Sequence, residues 1–178
     1  MLFRSGVSGT VYVNRINKTD SAGTTSIFGG NIILAGSSPL PEINNSGGSA
    51  LTINSTLSGV NGLVLSGGGP ININGANDYS GTTEIYAANL TANNNGAFGT
   101  SSVNVNEWSV LKLATSALSN AMTLNGFGLG NGAIQNFLDV TLSGPITLAG
   151  DAKIGNRSDW STMNLTGGIT ATDKRLTL

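Results

Sequence analysis

Histidine and cysteine are both absent from this 178-residue chain. Without cysteine there are no disulfides and no zinc-thiolate sites, although the compartment stays open because many secreted repeat proteins also lack it. Without histidine there is no Ser-His or Cys-His nucleophile-base pair, and the commonest transition-metal ligand is missing. Charge is scarce too: only 10% of residues are Asp, Glu, Lys or Arg, with a net charge of -1, against about a quarter in ordinary soluble domains. The eight Lys and Arg are scattered and form no basic stripe, so nothing supports nucleic-acid binding. No apolar run reaches the roughly 18 residues of a membrane-spanning helix, and Met1–Ser5 opens with no apolar run of signal-peptide length.

What replaces the charges is Gly, Asn, Ser and Thr, while hydrophobic residues still make up 39%. That is enough apolar side chain for a core. The straight-chain charged residues that favour helices are missing, so the composition points to strands and turns.

The apolar residues come in short triplets. Leu51-Thr-Ile53, Leu63-Val-Leu65, Ile71-Asn-Ile73, Thr83-Glu-Ile85, Val103-Asn-Val105, Leu111-Lys-Leu113, Met122-Thr-Leu124, Val140-Thr-Leu142, Ile146-Thr-Leu148, Met163-Asn-Leu165 and Leu176-Thr-Leu178 each place two side chains on one face of a strand. Earlier, Thr10–Val13 reads as a strand with Val11 and Val13 on one face, Arg15, Lys18 and Asp20 as a solvated turn, and Ile32-Ile33-Leu34 as a buried strand after a bend at Gly29-Gly30. Ser37–Ser49, with Pro39, Pro41 and Gly47-Gly48, reads as the longest loop and a break in the repeat. No window shows sustained three- and four-residue apolar spacing; Ser116–Leu124 comes nearest.

Such strands permit a sandwich, a barrel or a solenoid. Irregular, asparagine-rich turns such as Asn93-Asn94-Asn95-Gly96, in place of tight two-residue hairpins, favour the solenoid. One coil of about twenty residues buries roughly six aliphatic side chains at about 1.5 to 3 kcal/mol each. Ordering its backbone costs about 1 to 2 kcal/mol per residue. A lone coil is therefore unstable, and stacking is obligatory.

Gly75-Ala76-Asn77-Asp78-Tyr79-Ser80-Gly81-Thr82-Thr83, followed by Ala97-Phe98-Gly99 and the triplets at Val103 and Leu111, resembles the autotransporter-associated β-strand repeat, also called the passenger-associated transport repeat, of bacterial surface proteins. Ala88-Asn89-Leu90 departs from the family's Gly-Thr-Leu, and Asn106-Glu107-Trp108 from its glycine-alanine turn. Leu118–Gly126, Val140–Leu148 and Leu165–Ile169 are similar to flanking segments of the same proteins, so the resemblance spans about residues 57–178. It implies a right-handed parallel β-helix, all-β, secreted and displayed at the cell surface. Residues 1–178 are thus expected to form a single β-helix fragment of a passenger, incomplete at one or both ends, with weakly matched coils over 1–50 and repeat-matched coils over 51–178. Any membrane attachment would run through a C-terminal anchor or barrel beyond Leu178. Leu2–Ser5 also looks like a translated sequencing adapter.

The implied function is structural and adhesive, with glycans or like surface proteins as partners, no enzymatic activity, and no catalytic residue, cofactor or metal. The competing reading is a polysaccharide-active β-helix, a lyase or tailspike-like depolymerase. Its best residues are Asp139, Asp151 and Asp159 with Lys153 and Arg157, which read more simply as solvated loop charges. Tyr79 reads as a ring covering a corner between coils rather than a stacking residue. Trp108 and Trp160, as alternatives to sugar platforms, read as packing at coil edges, since tryptophan is usually largely buried. Asparagines read as turn formers and as side-chain ladders along the coil axis. Gly126–Gly130 lacks dinucleotide-loop spacing, and the glycine pairs lack the aspartates of calcium-binding nonapeptides.

Overall fold

The computed structural model describes residues 3–4, 9–157 and 159–178, with the side chains of 3 and 4 left aside. The reading of Leu2–Ser5 as foreign sequence lies outside the described residues apart from the backbone of Phe3–Arg4. The described residues contain strands and no helix.

The strands recur in a fixed order of three faces. The first face holds β1 (Phe3–Arg4), β4 (Thr25–Phe28), β7 (Leu51–Ile53), β10 (Pro70–Ile73), β12 (Asn89–Ala92), β14 (Val110–Leu113) and β17 (Ile134–Asn136). The second holds β2 (Thr10–Val13), β5 (Asn31–Leu34) and β8 (Thr56–Ser58), and further along β15 (Ala117–Leu118), β18 (Val140–Leu142) and β20 (Met163–Leu165). The third holds β3 (Arg15–Lys18), β6 (Glu42–Asn45), β9 (Leu63–Ser66), β11 (Thr82–Tyr86), β13 (Ser102–Val105), β16 (Met122–Gly126) and β21 (Ile169–Thr170). The long strand β19 (Ile146–Asn156) bends around a corner: its first half pairs β16 on the third face and its second half pairs β17 on the first. The last strand, β22 (Leu176–Thr177), pairs β19 near Ala152. Every pairing between these strands is parallel, which gives a β-solenoid of about eight turns, the architecture that the irregular asparagine-rich turns favour.

Register explains the core. Leu51, Ile71, Leu90, Leu111, Ile134 and Ile154 are successive partners down the first face, and Ile43, Leu65, Ile85, Val105, Leu124 and Leu148 down the third; all are buried. Because side chains alternate sides, Asn72, Asn104 and Lys112 point out between them and are half-buried. The two apolar residues of each triplet in this stretch therefore share the inward face, as alternation requires.

Between β8 and β15 the second face is not regular strand. The Gly75–Gly81 motif and Ala97–Gly99 continue it through single hydrogen bonds: Asp78 N donates to Leu57 O (3.1 Å), Ser80 N to Gly59 O (2.9 Å) and Thr100 N to Tyr79 O (3.0 Å). Asn77 ties three coils, accepting at Oδ1 from Leu57 N (2.8 Å) and donating from Nδ2 to Ala97 O (2.6 Å). Phe98 and Tyr79, both fully buried, fill the space that strand residues fill elsewhere.

Two expectations fail. Ser37–Ser49 does not interrupt the coil, because β6 lies within it, pairing β3 and β9, with Ile43 and Asn45 facing in. The turn placed at Arg15–Asp20 is instead β3 up to Lys18, whose side chain is buried and satisfied by the Asp20 carbonyl, Asp20 Oδ1 (2.8 Å) and Ser49 Oγ (2.9 Å). Both segments read as polar, yet their side chains find hydrogen-bond partners inside, which is what burial of polar groups requires.

Candidate interaction surface

The acidic group at the C-terminal end does not converge on one groove through any hydrogen bond or ion pair among the described residues. Asp139 precedes β18 and accepts a hydrogen bond from Thr162 N (2.7 Å). Asp151 sits in the bend of β19 and holds Arg175 twice, at the backbone N (2.9 Å) and at Nη2 (3.4 Å). Lys153 lies two residues further along β19, and Asp159 is exposed. Arg157 stacks 5.2 Å from the centroid of Phe137. Among the described residues no three acidic side chains form a group able to hold a metal ion.

Tyr79 is buried in the core, deeper than the corner cover expected for it. Burial pushes its phenol up to about 12, with hydrogen bonds from Thr83 and Ser101 opposing the shift. The tryptophans overturn their reading as packed residues: Trp108 is 64% exposed and Trp160 95% exposed. Trp108 lies at a left-handed backbone position (φ 63°) within a tight turn closed by Ser109 N to Asn106 O (3.1 Å), and its side chain is exposed.

The wet faces carry the ladders anticipated from the asparagines. Asn93 Nδ2 donates to Asn74 Oδ1 and Asn74 Nδ2 to Asn54 Oδ1, each at 2.8 Å, along the corner from the first face to the second. On the third face Arg15 pairs with Glu42 (2.8 Å), Ser66 donates to Glu42 (2.6 Å), and Asn44 donates to Ser66 (2.8 Å). Glu84 accepts from Asn104 (2.7 Å) at one oxygen and from Asn106 (2.8 Å) at the other. Lys112, on the outer side of the first face, has its pKa lowered by partial burial and then by the charge of Arg157. The surface is therefore a regular grid of fixed amides, hydroxyls and a few paired charges. Among the described residues these outward groups are held in place by hydrogen bonds and ion pairs along the coil axis.

A stretch of 131 residues, 73% of the chain, is 32% identical to the adhesin BmaC autotransporter of Brucella suis biovar 1 (strain 1330). Over that stretch the chain resembles an autotransporter adhesin. The chain spans only 3% of the length of this relative, so the likeness concerns one segment of a far larger protein. No family model and no solved structure matches the chain.

Proposed function

We propose that this chain is a structural and adhesive segment of a secreted, surface-displayed passenger, built to extend from a cell and present a long polar face for contact. The observation that carries the reading is the similarity to an adhesin over 131 residues. A solenoid whose outer columns are rich in Asn, Thr and Ser supports it physically, since outward groups repeat at the spacing of stacked strands, about 4.8 Å. Repetition turns weak contacts into avidity when several engage at once. The partners that fit are glycans at the surface of another cell and the like surface of a second passenger.

The test is gain of adhesion. A non-adherent bacterium displaying residues 9–178 from a heterologous outer-membrane anchor is expected to bind host cells or to clump. Equal display with no binding and no clumping contradicts the proposal.

A further inference from the structure

Three of the exposed aromatic side chains stand on one corner of the solenoid. Where the chain passes from the third face to the first, consecutive coils present Tyr86 (48% exposed), Trp108 (64%) and Phe127 (45%). The coils are stacked directly here: Asn106 N donates to Ile85 O (3.1 Å), Val110 N to Ala88 O (2.9 Å), and Gly126 packs against Glu107. The rings are thus carried on backbones one strand spacing apart, about 4.8 Å per step.

Burial in the core does not account for these rings. Trp108 occupies a left-handed turn that favours glycine, and the residue after Tyr86, Ala87, is left-handed as well (φ 46°). The loop bearing Phe127 is pinned rather than loose: Gln135 Nε2, itself buried, donates to Leu129 O (2.7 Å) and Gly132 O (2.9 Å). Arg175 lies 5.9 Å from the Phe127 ring and is already paired with Asp151.

The rim chooses the occupant. Beside Tyr86 the Glu84 carboxylate is locked between Asn104 and Asn106, and Glu107 is exposed next to Trp108. Carboxylates and amides suit sugar hydroxyls, and the carboxylates repel anionic chains. The three rings together expose on the order of 300 Å², well under the roughly 800 Å² per side of a stable protein interface. We infer that this corner is a stacking platform for an extended neutral glycan, with Trp108 and Tyr86 against the apolar faces of successive sugar rings and Glu84, Asn104 and Glu107 at their hydroxyls. This rests on the adhesive reading and gives it a site and a ligand class.

The experiment is affinity electrophoresis of the chain through gels containing soluble mannan, xylan or hydroxyethylcellulose. In parallel, Trp108 fluorescence is titrated in a Trp160→Phe background. The expected result is retardation by at least one of these polymers, with a fluorescence change on titration. Trp108→Gly and Tyr86→Ala should each weaken binding about tenfold or more, while Trp160→Phe leaves it intact. Trp108→Gly keeps the turn, since glycine accepts its backbone angle, and circular dichroism checks the fold. Binding that survives the double substitution overturns the corner as the site. Failure to bind any of the polymers by a chain that still confers adhesion overturns the glycan, and leaves the adhesive reading standing. Loss of self-association on Trp108→Gly, with no glycan binding, assigns the corner to a second copy and overturns the inference.

Discussion

The hydroxyl of Tyr79 lies 2.7 Å from Oγ1 of Thr83, and Thr83 lies 2.8 Å from Ser101 Oγ, which donates to Phe98 O: a polar relay sealed inside the core of two coils. Because the phenol is buried and neutral, its pKa is raised to about 12. A raised acid holds its proton in the folded state after the unfolded chain, near 10, has lost it. Stability from this group is therefore intact below pH 10 and falls between about pH 10 and 12, by roughly 2 to 3 kcal/mol. Tyr79→Phe should remove that fall while costing about 1 kcal/mol at neutral pH. Urea unfolding followed by circular dichroism at pH 8 and pH 11 measures both.

Asn77 should matter more than its place in a turn motif implies. Replacing it with Ala strands the Leu57 amide and the Ala97 carbonyl and is expected to cost about 2 to 4 kcal/mol. Asn77→Asp keeps the acceptor for Leu57 N but sets a carboxylate oxygen against the Ala97 carbonyl, so it should also destabilise. The shift in urea midpoint, at unchanged slope, reads the effect.

Gly144 lies where coils touch: a Cβ there would land on the carbonyl of Asn120, just as one on Gly167 would land on Gly144. Gly144→Ala is expected to cost about 3 kcal/mol through overpacking. Gly23 is the control, left-handed (φ 75°) with nothing within 4 Å, where Ala should cost only about 1 kcal/mol of backbone strain. Thermal unfolding of the two variants separates close approach from conformational strain.

Much of the architecture was legible because apolar triplets need only alternation to find the core, as Leu51, Ile71 and Leu111 do. Segments that satisfy polar side chains internally were not. Lys18 reads as solvent-facing until Ser49, a coil further on, is brought to its ammonium group. Glu42–Asn45 is hidden among prolines and glycines, with one apolar residue to mark it. Leu57 alone marks β8 for the same reason. The aromatic corner was illegible in principle: Tyr86, Trp108 and Phe127 are separated by whole coils, and coil closure alone aligns them. Tryptophan's usual burial misled at Trp108, which sits in an exposed turn between β13 and β14.

The adhesive account turns on one quantity, the retention under flow of beads coated with the purified chain on a layer of host cells. The account predicts retention well above bare beads, rising more steeply than linearly with coating density because contacts act together. Beads that wash off like bare ones at every density would contradict it.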